Sequence, residues 1–293
     1  SRCNLRRGRR LCRVCSTLRC SPMQPRHYLS EAERRYLIDG VAQGLRNDGR
    51  GCFDYRRVSF ELGPIPTAMG SCRLRAGDTD ILIGVKCEMM TMKPGRERTD
   101  SGHFQVTVEY AASVSQALAE GNNREREDWG RHLSVILEAL CAGDDVVDRR
   151  ALCVAPGAFA WEVYVDVLVL ASGGNLIDMV SLGLCVVLGE LLLPKVEVED
   201  AMEEGEPVQL RVDDRPEAGT AFPLKKMPLC VTVAQIQGHF LLDVTLEEEV
   251  CADAMLCVIV DAKNGNIVGL HKLGRGLFDP SALPSTVKRC QAS

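Results

Sequence analysis

The spacing of apolar residues along the chain predicts three helices. The first begins at Ser30, because Ser30 and Glu33 form a capping-box pair, and it ends at Gly44. The second covers residues 124–142 and carries an apolar stripe at helical spacing, which we interpret as core: Trp129, Leu133, Ile136, Leu137 and Leu140. The third covers residues 176–191 and is apolar almost throughout, which predicts a buried helix.

Shorter apolar and β-branched segments around these helices predict strands. They cover residues 58–62, 70–74, 80–88, 104–110, two strands within 152–171, 228–235, 240–244, 254–261 and 267–272. Residues 80–88 are nearly all apolar, which predicts a central strand buried on both faces. Residues 197–206 hold six acidic residues, which predicts a solvated loop. Because strands and helices do not alternate regularly, the predicted fold class is α+β, with mixed sheets and packed helices.

Charge is unevenly distributed along the chain. Residues 1–22 contain seven arginines, four of the 14 cysteines and no acidic residue, whereas the other 271 residues contain 28 basic and 40 acidic residues. We expect residues 1–22 to be a disordered basic tail and residues 23–293 to form one domain. Cys12, Cys15 and Cys20 supply only three of the four ligands of a zinc site, so no zinc is expected there. The acidic body excludes nucleic-acid binding by overall charge, so an RNA contact requires a local patch or a partner.

The sequence also indicates the cellular compartment of the chain. No apolar run reaches the roughly 18 residues of a membrane span, so no membrane partner is expected. The first arginines are not followed by the apolar segment of a secretory signal. Several cysteines lie inside apolar stretches, as reduced thiols do: Cys153, Cys185, Cys230 and Cys257. We therefore expect a reducing compartment, the cytoplasm, the nucleus or both.

Four short motifs, in a fixed order, carry a family resemblance over about residues 30–279. They are Arg46-Asn47-Asp48-Gly49-Arg50, then 70–74 leading to 77–86, then 161–166 ending in Gly173-Gly174-Asn175, and finally Leu242-Asp243 with the acidic residues that follow. Together these motifs resemble the RNase PH-like family. The segments 48–52 and 85–89 resemble one of its branches, the ring subunits of the eukaryotic RNA exosome.

The resemblance implies a fold of two related βαβ-type halves and a place in a ring of six related subunits. It implies partners as well: other RNase PH-like ring subunits, cap subunits, and RNA that passes through the assembled channel. For that branch it also implies a location in the nucleus, including the nucleolus, and in the cytoplasm. Active members of the family shorten RNA from its 3′ end, with inorganic phosphate as the nucleophile and Mg²⁺ at the site.

This chain departs from the active pattern at two places. Active members follow the paired glycines with Thr-Arg-Ser, whereas this chain has Asn175, Leu176 and Ile177, and then Asp178. We expect Asn175 to cap the following helix and the charge of Asp178 to complement the helix dipole, which disfavours phosphate there. Active members also carry two spaced aspartates, for which the nearest candidates here are the adjacent Asp213 and Asp214. Neighbouring residues of a strand face opposite sides, so these two cannot easily share one Mg²⁺.

The sequence therefore predicts a non-catalytic ring subunit with no catalytic residue, no metal ligand and no cofactor. Two alternatives stay open, an active phosphate-dependent 3′-to-5′ exoribonuclease and a free-standing RNA-binding module. The best local RNA patch is the predicted loop 121–126. Arg124 and Arg126 in that loop are the predicted RNA-binding residues, because two arginines beside a channel can contact phosphates. The nearby Glu125, Glu127 and Asp128 could instead pair with them.

Overall fold

The computed structural model describes most of the chain after the basic tail. The described residues are 29–91, 101–114, 123–141, 146–199, 209–213, 215, 218–274 and 276–278, without the side chains of 123–129, 199 and 209. The tail predicted for residues 1–22 lies outside them. No helix in these ranges is both long enough and apolar enough to cross a membrane.

The secondary structure consists of short strands and a few helices. The helices are α1 (Glu31–Ala42), α2 (Asn123–Cys141), α3 (Leu176–Glu190) and α4 (Leu246–Cys251). The first strands are β1 (Val58–Leu62), β2 (Gly70–Ala76), β3 (Thr79–Thr91), β4 (His103–Tyr110), β5 (Cys153–Ala155), β6 (Phe159–Ala171) and β7 (Leu192–Leu193). The others are β8 (Lys195–Glu199), β9 (Gln209–Asp213), β10 (Thr220–Ala221), β11 (Pro228–Ile236), β12 (His239–Leu242), β13 (Ala254–Asp261) and β14 (Ile267–Leu273).

Two larger sheets organise the molecule. The first sheet has the strand order β1-β2-β3-β6-β4, with β5 also paired to β6. It is mixed, because β4 runs parallel to β6 while the other pairs are antiparallel. The second sheet has the order β12-β11-β13-β14 and is antiparallel throughout. The predicted α+β class with mixed sheets is thus confirmed.

Helix α3 lies between the two sheets and shares a core with both. Gly183 on this helix faces Ile83 of β3, and Ser181 accepts a hydrogen bond from the backbone N–H of Cys230 in β11 at 3.0 Å. A single cluster of buried apolar side chains includes residues of α3 and of both sheets. A second, smaller cluster covers the opposite face of the second sheet, around Val258. The start of α3 therefore lies where the two sheets meet.

The three predicted helices are confirmed to within two residues, and the predicted strands are present. Ser30 caps α1 in a capping box with Glu33, as predicted. The prediction for residues 80–88 was wrong in one respect: alternate residues of β3 are fully buried, whereas Leu82 and Gly84 on the other face are only partly covered. The predicted solvated loop at 197–206 begins instead within strand β8, which pairs with β9 to form a two-stranded sheet.

Candidate functional site at the start of helix α3

The loop that enters α3 is held in a tight conformation by its neighbours. Gly174 has a φ of +93°, and a Cβ there would lie 2.5 Å from the backbone nitrogen of Leu246. The Gly174 carbonyl accepts hydrogen bonds from the Thr79 hydroxyl at 3.1 Å and from the Arg56 guanidinium at 3.1 Å. The Gly173 carbonyl accepts from Arg56 at 2.9 Å and from the Leu246 N–H at 3.0 Å. The paired glycines are thus required by local packing, whatever the chemistry of the site.

Asp243 is the charged centre of this site. Its side chain is fully buried and forms ion pairs with Arg56 at 2.8 Å and with Arg50 at 2.9 Å. The backbone N–H of Arg56 and the side-chain amide of Asn175 also donate to it, at 2.7 and 3.0 Å. Burial alone would raise the pKa of Asp243, but the hydrogen bonds and charge of Arg56 hold the pKa below its usual value. A carboxylate offers about four lone-pair sites, and these contacts use all of them.

Asn175 precedes α3 as predicted, but it does not cap the helix with its side chain. It has a left-handed backbone conformation with a φ of 55° and makes no side-chain capping hydrogen bond. Its side chain donates to Asp243, and its backbone N–H donates to Glu249 at 2.5 Å. Asn175 therefore links two carboxylates from the segment that follows β12. The predicted side-chain cap was wrong because Asn175 has a left-handed backbone rather than the extended backbone of a capping residue, and its side-chain amide binds Asp243.

Asp178 lies in the first turn of α3, as predicted, and it also contacts the second sheet. Its carboxylate accepts from the N–H and the hydroxyl of Thr232 in β11, at 2.7 and 2.6 Å. The residue is 3 % exposed, and burial raises its pKa to about 7, against an ordinary value of 3.8. The hydrogen bonds of Asp178 thus attach α3 to the second sheet.

The adjacent acids that the sequence analysis considered and rejected as a shared Mg²⁺ site were Asp213 and Asp214. Asp213 lies on β9 and binds Arg215 at 2.6 Å, which lowers its pKa to about 2, and Asp214 lies outside the described residues. The two carboxylates that the fold brings to the start of α3 are Asp243 and Glu249, six positions apart. Burial raises the pKa of Glu249 to about 7. The contact of both acids with Asn175 depends on the tertiary structure. The sequence shows only that the two acids lie six positions apart in one acidic segment.

A second ion pair lies deeper than the first. Arg46 contacts Glu248 through two hydrogen bonds, at 2.9 and 2.6 Å, and the two side chains are 0 % and 4 % exposed. Arg46 also donates to the carbonyls of Leu242 and Asp243, at 3.1 and 2.9 Å. The motif around Arg46 therefore braces the segment that carries Asp243, rather than offering a free cation.

An open cleft of about 620 Å³ lies beside these pairs. Its lining includes both signs of charge, among them Arg50, Arg56, Arg57, Asp48, Asp78 and Glu247. Arg50 and Arg56 are committed to Asp243, so the exposed Arg57 is the cation of this lining that makes no ion pair within the described residues. At the start of α3, Leu176, Ile177 and Asp178 provide neither a hydroxyl nor a positive charge.

The predicted RNA-binding residues lie on a different element, helix α2. Arg124 and Arg126 belong to the first turns of α2, rather than to the predicted loop, and their side chains are outside the described part. They therefore stay a prediction. Within the described ranges, no group of three His, Cys, Asp or Glu side chains is arranged to hold a metal ion.

The two sheets, the shared helix and the glycine loop define an RNase PH-type protein of two joined parts. The family model for the 3′ exoribonuclease family, domain 1, matches residues 54–194, and the model for domain 2 of that family matches residues 226–287. Together the two matches cover more than half of the chain. The chain belongs to the 3′ exoribonuclease family.

Several individual proteins and solved structures are similar to this chain over most of its length. The chain is 31 % identical to the exosome complex component Rrp42 of Methanocella arvoryzae, over 89 % of this chain and 92 % of that protein. It is 29 % identical to the exosome complex component Rrp42 of Thermococcus onnurineus, over 87 % of this chain and 89 % of that protein. Among solved structures it resembles a chain of the Archaeoglobus fulgidus exosome with RNA bound to the active site. That match has a TM-score of 0.71 and 24 % identity, and it covers 88 % of this chain and 93 % of the other. This last likeness shows the fold.

Proposed function

We propose that this chain is a non-catalytic subunit of an RNA exosome ring, where it helps form the channel that guides RNA for 3′-to-5′ processing and degradation. Its partners are other RNase PH-like ring subunits and cap subunits. Support comes from relatives that are named exosome complex components and are matched over about nine tenths of this chain.

The observation that best supports the absence of catalysis is that the Asp243 carboxylate is already paired with Arg50 and Arg56. Phosphorolysis requires a cation to hold phosphate in line and a metal to offset the charge that develops during transfer. At the start of α3 the side chains are apolar or acidic, and the arginines nearest to the loop neutralise Asp243 instead. Binding a metal to Asp243 would require the loss of buried ion pairs, which is expensive when the charges have no other partner.

Two finer features belong to the same proposal. Arg124 and Arg126, at the start of α2, contact RNA phosphates as the strand passes through the channel. The assembled subunit works in the nucleus, including the nucleolus, and in the cytoplasm. The first feature is supported by the two basic residues alone, and the second by the resemblance to exosome ring subunits.

The test compares rings that differ only in this chain. Glu249→Gln removes the second carboxylate of the site while keeping its shape, and Glu247→Gln on the cleft lining is the matched control. Rings reconstituted with native or variant chain receive single-stranded RNA, Mg²⁺ and phosphate, and release of nucleoside diphosphates is measured. We expect all three rings to have the same rate within about twofold, and the isolated chain to release none. A loss of about 100-fold or more for Glu249→Gln alone, the usual effect of removing a catalytic group, would establish an active exoribonuclease site in this chain.

A further inference from the structure

The turn between β13 and β14 contains an asparagine followed by a glycine. Asn264 is exposed, and Gly265 has a φ of +69°. Among the described residues, no atom beyond the immediate chain neighbours lies within 4 Å of the position that a Cβ on Gly265 would occupy. The backbone nitrogen of Gly265 therefore lies next to the Asn264 side chain, and no side chain of its own shields it.

The side-chain amide of Asn264 is polarised by the turn. Its Oδ1 accepts a hydrogen bond from the backbone N–H of Asn266 at 2.8 Å, a local contact that asparagine often forms in turns. A donor at this oxygen stabilises the negative charge that forms there when a nucleophile attacks the side-chain carbon Cγ. The Gly265 nitrogen can be that nucleophile, because its attack is intramolecular and closes a five-membered ring.

Hydrogen bonds to Asp261 oppose this attack. The Gly265 N–H donates to the Asp261 carbonyl at 2.8 Å, and the Asn264 N–H donates to the same oxygen at 3.2 Å. The turn must open before the Gly265 nitrogen can lose its proton and approach Cγ. Because a surface turn opens locally at a lower free energy than the whole fold, the folded chain should react, but more slowly than a peptide of the same sequence.

The same turn is attached to the segment 224–227, which leads into the second sheet. The Lys263 ammonium donates to the carbonyls of Leu224 and Lys225, each at 3.2 Å. The Ala262 N–H donates to the Met227 carbonyl at 2.8 Å. These contacts require the present backbone path of the turn, so a longer backbone would break them.

We propose that Asn264 is a site of spontaneous deamidation, and that its isoaspartate product loosens the turn from the segment 224–227. The Gly265 nitrogen forms a bond to Cγ of Asn264, the bond from Cγ to Nδ2 breaks, and Nδ2 leaves as ammonia with the proton that the Gly265 nitrogen gives up. Water then breaks one of the two bonds between this nitrogen and a carbonyl carbon of the ring. The hydroxyl of the water stays on the carbon, and its hydrogen returns to the nitrogen.

The two products of this hydrolysis differ in their effect on the turn. Aspartate at position 264 keeps the backbone path and can still accept the N–H of Asn266. Isoaspartate sends the backbone through Cβ and Cγ, which adds a methylene to it. The N–H groups of residues 264 and 265 can then no longer both reach the Asp261 carbonyl. Isoaspartate, rather than the added charge, is thus the product that releases the turn.

Peptide mapping by mass spectrometry of the full chain, kept at neutral pH and sampled over several weeks, tests the modification. Asn264 should be converted at least about tenfold faster than Asn266, the matched control in the same turn, because the branched Ile267 shields the nitrogen that follows Asn266. Asn264→Gln should stop the conversion, since its longer side chain closes a larger ring. Equal rates at Asn264 and Asn266, or an unchanged Asn264, would overturn the proposal.

Hydrogen exchange tests the loosening of the turn. After separation by ion exchange, the isoaspartate form should exchange the Ala262 amide at least about tenfold faster than the native chain. Asn264→Asp adds the same charge without the extra methylene, so its Ala262 amide should keep the native protection. Native protection in the isoaspartate form, equal loss in Asn264→Asp, or aspartate as the sole product would each show that isoaspartate does not release the turn. Neither readout involves RNA or a partner, so this proposal is independent of the proposed function.

Discussion

At the scale of single residues, Arg46 is an arginine with a fully buried side chain that stabilises the packing of distant segments. Its guanidinium makes two hydrogen bonds to Glu248 and four to backbone carbonyls, and none of the side chain is exposed. Such a pair stabilises little compared with an apolar pair of the same shape, but breaking it strands a charge in the interior. Arg46 therefore fixes the segment that carries Asp243.

Arg46→Met should lower the free energy of unfolding by about 3–5 kcal/mol, because Glu248 keeps its buried charge without a partner. The double variant Arg46→Met, Glu248→Leu should recover much of this loss. Arg35→Met is the control: the Arg35–Glu31 pair is 75 % and 81 % exposed, so its loss should change stability by less than about 0.5 kcal/mol. Urea unfolding of the four chains measures these differences. A loss for Arg46→Met as small as that of the control would mean that the pair is not buried.

The raised pKa of Asp178 predicts an unusual dependence of stability on pH. Burial raises the pKa in the folded chain to about 7 from an ordinary value of 3.8. The folded state therefore holds this proton more tightly, and the resulting stabilisation is present below about pH 4 and is lost as the pH rises toward 7. Asp178→Asn cannot titrate, so the stability of the native chain relative to this variant should fall between about pH 4 and pH 7.

Urea unfolding at several pH values measures this difference. Asp213→Asn is the control, because the pKa of Asp213 is about 2 in the folded chain and ordinarily 3.8, so its effect on stability is nearly complete above about pH 4. The native chain should therefore keep a constant stability relative to Asp213→Asn over the same range. A constant difference for Asp178→Asn as well would contradict a raised pKa.

At the scale of elements, helix α2 presents two stripes with different roles. Leu133 and Leu137 are buried in the core, as the apolar spacing predicted. Gly130, Ser134 and Glu138, each four residues apart, form the stripe that faces the edge of β4. A polar stripe normally indicates a solvated face, so the sequence alone gave no reason to place these residues against a sheet.

Gly130→Ala should destabilise the chain by about 1–3 kcal/mol, even though alanine is the better helix former by about 1 kcal/mol. A Cβ at Gly130 would lie 2.5 Å from the carbonyl oxygen of Val108, and a sheet backbone cannot move aside easily. Gly183→Ala in α3 is the matched control: its nearest obstacle, also at 2.5 Å, is the end of the flexible Ile83 side chain. Thermal unfolding should show a clearly smaller loss for Gly183→Ala. Equal losses would mean that the identity of the obstacle does not matter.

At the scale of the whole molecule, α3 makes the two parts of the fold interdependent. It contributes to the core of the first sheet, and its Asp178 and Ser181 side chains accept hydrogen bonds from β11 of the second sheet. The ion pairs of Arg46 and Arg56 join the same two parts. Removing either sheet would expose a face of α3 that is apolar, so we expect a single cooperative unit.

Two probes in different parts of the chain test this cooperativity. Both tryptophans, Trp129 and Trp161, precede α3, so their fluorescence reports on the first part. Cys257 is fully buried in the second sheet, and pulsed thiol labelling followed by mass spectrometry reports its exposure. The two urea transitions should have the same midpoint. Labelling of Cys257 at lower urea, while fluorescence is unchanged, would show that the second sheet unfolds by itself.

Periodic patterns account for most of what the sequence predicted correctly. The helical spacing of α1 and α2 and the apolar run of α3 depend on contacts within a few positions, so the sequence contains them directly. The β-type runs likewise identified the strands of both sheets. The short strands β8 and β9 were missed because charged residues of both signs occupy one face of the sheet that they form, and a charged run was interpreted as loop.

The site was less predictable, because its contacts join distant parts of the chain. The sequence by itself determined that the start of α3 carries no hydroxyl and no positive charge, since residue identity alone decides that. Only the tertiary structure decided which acids reach this point and what neutralises them. Arg46 and Glu248 are separated by 202 positions, and Asn175 and Asp243 by 68. The energy of a charged group depends on burial and on its partners, and both are set by the path of the chain rather than by local spacing.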